Sequence, residues 1–183
     1  MAVQTQRMTV EEFERFAERP ENANRRLEDI GGEVVEVASN SYSSLVAGNI
    51  LFAIKLHLRD SGLQGYVTGA DGGYKVAGED YLPDVGFIAK ARLPDPPHET
   101  WISLPPDLAV EVLSPSDKPD DTRIKLVHYL AAGTVVWVVD PDQKQVEVYT
   151  PGPAVKRLGE DDTLDGSDVL PGFTLAVKEI FPE

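Results

Sequence analysis

Leu108-Ala109-Val110-Glu111-Val112-Leu113, then Ser114-Pro115-Ser116-Asp117, then Asp121 to Ala132, then Val135-Val136-Trp137-Val138-Val139 is the stretch that decides the fold. In its first part Leu108, Val110 and Val112 fall on one side and Ala109, Glu111 and Leu113 on the other, the two-residue period of a strand. Ser114 to Asp117 breaks that run. From Asp121 to Ala132 the period becomes helical, with Ile124, Val127, His128 and Ala131 on one face and Gly133 placed as a cap. Val135 to Val139 is apolar on both faces, as a strand covered on both sides must be. Strand, helix and central strand in succession predict an α/β chain of the α+β type, with a mixed sheet flanked by helices.

The same reading extends outward. Thr9 to Glu12 spells T-x-x-E, a capping box, with Met8 placed to staple onto Phe13 and the helix ending near Glu18, before Pro20. Arg25 to Val37 reads as strand, Gly31-Gly32 turn and strand. Ser43 to Leu58 is the principal helix, with Val46, Ile50, Ala53, Ile54 and His57 at helical spacing and Gly62 beyond its end. Gly65 to Thr68, Tyr74 to Val76 and Tyr81 to Ile88 follow as strands, punctuated by glycines. Leu93 to Pro106 holds five prolines and reads as an irregular connection. Gln145 to Tyr149 alternates as a more exposed strand. A late strand or two and a short helix near Val177 to Ile180 close the chain. No repeat or linker divides it, so residues 1–183 are expected to form a single domain.

Composition narrows the function. Hydrophobic residues make up 42% of 183, enough to exclude intrinsic disorder. Cysteine is absent, which removes disulfides, thiolate catalysis and sulfur-bound zinc. The N-terminus has no apolar signal segment, and Val135 to Val139 is far too short to span a bilayer, so a cytoplasmic protein without membrane attachment is expected. Lys and Arg number 17 against 31 Asp and Glu, a net charge of −14. A nucleic-acid-binding surface normally carries a basic footprint. Any such role here needs a local patch, a metal ion or a partner, and intrinsic affinity for nucleic acid is expected to be weak. Part of the acidity is confined to Glu160, Asp161, Asp162, Asp165 and Asp168, which read as a solvated loop.

Four charged residues stand where charge is costly or well placed. Asp84 follows Pro83 inside the apolar run Tyr81 to Ile88, where an ionised carboxylate must be paired or metal-bound; it also reads as an edge-strand acid near a turn. Glu111 interrupts an apolar strand, which fits either a metal ligand or a salt bridge to a nearby Lys or Arg. Lys125, on the next helix, sits at the margin of the core face, although a helical lysine usually points to solvent. Glu28 precedes the Gly-Gly turn, where a hairpin surface acid is equally reasonable. Together they are three carboxylates and an ammonium from separate elements, the set that a divalent-metal phosphodiester hydrolase requires. His57, His98 and His128 share no metal spacing, Ser114 lacks a nucleophile-elbow context, and no P-loop is present.

At these residues the chain resembles the small bacterial family described as putative restriction endonucleases, within the PD-(D/E)XK nuclease superfamily. The resemblance runs through Met8-Thr9-Val10-Glu11-Glu12-Phe13 and Arg26-Leu27-Glu28-Asp29-Ile30-Gly31-Gly32-Glu33. It continues through Pro83-Asp84-Val85-Gly86-Phe87-Ile88 and Pro106 to Ser116, then Lys125 with Tyr129, Gly133, and Val136-Trp137-Val138-Val139-Asp140-Pro141. It implies a restriction-endonuclease-like core with a four- to five-stranded mixed sheet. It also implies Mg²⁺, or Mn²⁺, held by Asp84 and Glu111 with Glu28 completing the acidic cluster, and catalytic roles for Glu28, Asp84, Glu111 and Lys125. Two positions depart from the pattern. Leu113 stands where the superfamily has a lysine, which makes Lys125 the replacement, and Tyr42-Ser43-Ser44 stands where many members carry a histidine.

The resulting expectation is a Mg²⁺-dependent endonuclease that hydrolyses DNA phosphodiester bonds. The alternatives are a nuclease-fold binding or regulatory module with little catalysis, and a hydrolase of small phosphoesters, which suits the acidic surface. Superfamily nucleases often pair, so a homodimer is a further expectation. Trp101 could stand at that contact or cover the chain's own core.

Overall fold

Apolar strands alternating with two long helices leave few ways to bury both faces of a sheet, and the structure takes the mixed-sheet solution. The computed structural model describes residues 7–37 and 40–182. Its main sheet has six strands in the order β11-β10-β9-β8-β6-β3. These are β3 (Gly65–Gly69), β6 (Val85–Ala89), β8 (Leu108–Val112), β9 (Val135–Asp140), β10 (Gln145–Tyr149) and β11 (Val155–Leu158). Among the described residues of this sheet only β8 and β9 pair in parallel, and α3 (Pro119–Ala131) makes the crossover between them. The sheet is wider than the four or five strands expected, because β11 extends its far edge.

Each face of the sheet is covered by one helix. Val46, Ile50 and Ile54 of α2 (Ser41–Ser61) pack with Phe87, Val110 and Trp137. On the opposite face Tyr129 of α3 packs with Ala109, Val136 and Val138. Glu111 shares the Ala109 side of β8 and so faces α3. The α2 helix is longer than its apolar spacing suggested: Asn40 caps its first turn and Gly62, at φ 77°, ends it. At α1 (Val10–Ala17) the capping box forms in both directions, Thr9 Oγ1 accepting from Glu12 N–H and Glu12 Oε2 from Thr9 N–H.

The smaller sheets frame one end of the main one. β1 (Leu27–Ile30) and β2 (Glu33–Glu36) form a hairpin through Gly31 and Gly32, whose φ values of 63° and 79° suit glycine. A second sheet has the order β5-β4-β7, from β4 (Gly73–Val76), β5 (Glu79–Tyr81) and β7 (Trp101–Ile102), so the proline-rich connection contains a short strand. β12 (Thr163–Asp165) pairs with β13 (Thr174–Ala176) ahead of a single 3₁₀ turn, Val177–Glu179.

Two expectations need correction. Tyr81 to Ile88 is two strands in different sheets, broken at Leu82-Pro83-Asp84, because Pro83 has no N–H to donate to a ladder. Asp84 therefore sits at the mouth of β6. On α3 the buried pair is Lys125 and Tyr129, while Val127 is 62% exposed. The helix is turned about its axis from the face that apolar spacing chose, because the acids beneath it pair with Lys125. Trp101 is 8% exposed and lies 5.9 Å from the Phe13 ring, covering the chain's own core.

Candidate active site

The break at Pro83 decides where Asp84 points. Val85 pairs with Val110 across β6 and β8, so Asp84, one residue earlier, comes level with Glu111. Its Oδ2 accepts the Val112 N–H at 2.8 Å, which fixes the carboxylate beside β8. Glu28, the second residue of β1, reaches the same place from the hairpin, its Oε1 accepting the Leu82 N–H at 2.6 Å. All three acids line one cleft of about 510 Å³, together with Arg26, Lys125, and Ser43 and Ser44 from the start of α2.

Lys125 ties the acids together. Its Nζ donates to Glu111 Oε2 at 2.7 Å and to Glu28 Oε1 at 2.8 Å, with the ammonium almost wholly buried. Tyr129, one helical turn on, donates its hydroxyl to Glu111 Oε1 at 3.0 Å. Lys125 also stands 5.7 Å from the centre of the Tyr81 ring, within cation–π range. Behind it the Tyr81 hydroxyl contacts Glu79 and lies 2.6 Å from His128 Nδ1. Of the two readings of Glu111, the structure shows the salt bridge, and its partner is Lys125 itself.

Burial sets the electrostatics. It is the largest influence on Glu111 and moves its carboxyl upward, against the pull of Lys125. Burial also works against the Lys125 charge, but Glu111 and Glu28 together outweigh it and hold the ammonium protonated. The upward shift of Glu111 and the protonated lysine conflict only if the ion pair is treated in isolation. One cation is shared by two acids, so the lysine keeps its proton and the excess negative charge rests on the glutamates. Asp84 is likewise raised by burial, offset by the Val112 N–H and by the fields of Lys125 and Arg26. The Tyr129 hydroxyl is pushed well above its ordinary value, by burial first and then by Glu111 and Glu28, and stays a donor.

All four residues singled out by sequence meet here. Among the described residues, however, no three histidine, aspartate or glutamate side chains form a ready-made cage for a cation. The donor chemistry still suits Mg²⁺. Asp84 Oδ1 and Glu28 Oε2 have no hydrogen-bond partner among the described residues and are not sealed from the cleft. Mg²⁺ is commonly held by one or two carboxylates, with water and substrate phosphate completing its shell. Tyr129 and Arg26 were not read as site residues from spacing alone, although the signals exist. Tyr129 is four residues after Lys125 on one helix face, and Arg26 is two before Glu28, on the same side of an extended chain.

A six-stranded mixed sheet between two helices, with acids from three elements meeting a helix lysine at one end, defines a protein of the restriction-endonuclease-like class. The family model Uma2, described as "Putative restriction endonuclease", matches residues 10–178, and the chain belongs to that family. A crystal structure described as that of a putative nuclease belonging to DUF820, from Anabaena variabilis ATCC 29413, is similar in fold. The TM-score is 0.82 at 19% identity, over 95% of this chain and 97% of that one. No curated protein matches the chain.

Proposed function

We propose that this chain is a Mg²⁺-dependent endonuclease acting on DNA, with Asp84, Glu111, Glu28 and Lys125 as its working residues. The observation that carries the reading is the convergence of Lys125 Nζ on Glu111 at 2.7 Å and Glu28 at 2.8 Å, with Asp84 in the same cleft. Asp84 and Glu111 would hold the ion, with Mn²⁺ as a substitute and Glu28 completing the acidic cluster. The bound ion would supply Lewis acidity toward a phosphate oxygen and a more acidic water. Lys125 holds a proton and a positive charge beside the carboxylates, where negative charge develops on phosphate. Tyr129 orients Glu111, and the backbone N–H groups of Val112 and Leu82 orient Asp84 and Glu28. The test is cleavage of plasmid and single-stranded DNA with Mg²⁺ or Mn²⁺ by wild type and by Asp84→Ala, Glu111→Ala and Lys125→Ala. Loss in each variant is expected; equal cleavage by all four proteins would sink the reading.

One observation favours a second reading, a nuclease-fold module with little catalysis. Both Glu111 oxygens are already engaged, by Lys125 and Tyr129. Calorimetry with Mn²⁺ separates the two, since absence of binding at millimolar metal points to the module.

The enzyme would work in the cytoplasm as a homodimer, with α2 as the contact. Tyr42, Leu45 and Phe52 are exposed on one stripe of α2, at the three- and four-residue steps of a helix-pair seam that Leu56 continues. From Ser41 to Arg59 the helix carries no acid, so two chains of charge −14 meet there with least repulsion.

A further inference from the structure

Lys125 is the most conspicuous cation of the cleft, yet its N–H donors are committed to Glu28 and Glu111, so it is not placed to anchor an incoming phosphate in the ground state. Seven carboxylates line the cleft against three cations among the described residues, so an incoming phosphate needs a cation that is not already neutralised. Lys118 stands largely in solvent, its side chain 72% exposed and only loosely set against Asp121 at 3.9 Å. Arg26 is different. It precedes β1 and continues its ladder, its carbonyl accepting the Val37 N–H at 2.9 Å, so its side chain leaves the backbone on the Glu28 side. Its Nη2 donates to the Ala70 carbonyl at 2.7 Å, which fixes the guanidinium plane. Its Nε is buried and 3.4 Å from Asp71 Oδ1, but not aligned for a hydrogen bond, and Asp71 itself lies out in solvent. The cation is close enough to Asp84 for its field to lower that carboxyl.

We propose that Arg26 is the phosphate-anchoring residue of this cleft, using its unspent N–H donors to hold a nonbridging oxygen of a phosphodiester beside Asp84. The inference rests on the nuclease reading and deepens it. A guanidinium pinned at one corner keeps its fork oriented for a tetrahedral oxyanion, which a lysine at the same place cannot reproduce. Asp71 serves as a weak placeholder. Its exposed carboxylate costs little to displace, whereas the Ala70 carbonyl keeps the plane in position.

Binding of a short fluorescein-labelled single-stranded oligodeoxynucleotide, with Ca²⁺ in place of Mg²⁺, tests this on the full chain by anisotropy. Arg26→Ala should weaken binding about tenfold or more and lower the salt slope by about one. Arg123→Ala removes the same charge from an exposed site on α3 outside the cleft and should leave binding unchanged. Arg26→Lys should recover only part of the affinity, and it carries the test if the alanine variant is poorly folded. Calorimetric Mn²⁺ binding should be the same in Arg26→Lys as in wild type. Affinity of either Arg26 variant equal to wild type, or an equal loss in Arg123→Ala, would overturn the assignment. Wild-type protein that binds Mn²⁺ but no oligonucleotide would overturn the nuclease reading along with it. Wild-type binding that Arg26 does not influence removes the anchor alone.

Discussion

Lys125 shows what a sequence reveals at the scale of one residue and what it conceals. Its helix and its proximity to Glu111 were legible, but its burial was not, because a helical lysine ordinarily reaches solvent. What reverses the rule is a pair of acids from strands far apart in sequence, which no local spacing displays. Lys125→Met should therefore be costly, leaving Glu28 and Glu111 buried without their shared cation. A loss of about 3–5 kcal/mol is expected in urea denaturation. Mn²⁺ should return part of it, whereas a variant as stable as wild type would mean the pairing contributes nothing. Asp80 is a residue no spacing marked. It is fully buried, and neither carboxylate oxygen has a hydrogen-bond partner among the described residues. Burial, with Glu14 and Asp29 adding to it and Lys75 opposing, pushes it up to about 7. Between its ordinary value of 3.8 and about 7 the folded chain retains a proton that the unfolded chain releases, so stability falls as pH rises through that window. Asp80→Asn removes the effect. Its stability in urea denaturation should exceed that of wild type by a margin that grows from pH 4 to pH 7 and then levels, at most on the order of 4 kcal/mol. A margin independent of pH would exclude proton linkage at Asp80.

Among the elements, those with one dominant period were read closely and those governed by partners were not. β8, β9 and the hairpin of β1 and β2 fall almost where alternation and Gly31-Gly32 put them. The Tyr81 to Ile88 run looked continuous because its composition is apolar throughout, yet Pro83 parts β5 from β6 and that break frees Asp84 for the cleft. A proline's missing donor was the available signal, and it outweighed the propensity of its neighbours. Helix α3 failed differently. Val127 and Ala131 are exposed, so a pattern of Ile124, Val127 and Ala131 misplaces the buried side by more than a third of a turn. Helix α2 lies where the spacing of Val46, Ile50 and Ile54 predicts it, but it also carries a second, exposed apolar stripe that this spacing does not display. Phe52 is 66% exposed there. If α2 is the dimer seam, Phe52→Glu should convert a dimer into a monomer of the same fold, as seen by light scattering and circular dichroism. A wild type that is already monomeric at working concentration would remove the seam.

Taken whole, the molecule sets a charge of −14 against the phosphate chemistry proposed for it. The order of strands and helices was readable because each change of period marks an element, and the candidate site follows from where those elements end. The balance of charge around the cleft was not readable, since it depends on which acids the fold gathers. The acidic C-terminal segment, part of which is strand β12, supplies only five carboxylates, too few to account for the total. The fold also places a carboxylate excess at the cleft itself, where Asp84, Glu28 and Glu111 meet acids from the β1–β2 hairpin and from the segment leading into α3. Within a screening length of roughly 8–10 Å, these acids oppose any approaching phosphodiester. One fixed arginine is too little to reverse their field. Divalent cations offset it directly, so they should be required for association as well as for cleavage. In EDTA, wild type should show no measurable oligonucleotide binding, and Ca²⁺ should restore it without cleavage. The dependence on NaCl should be shallow, because few protein cations release counterions from the nucleic acid. Equal binding in EDTA and in Ca²⁺, measured by anisotropy, would mean that a basic surface elsewhere on the chain recruits the substrate and that the ion serves chemistry alone.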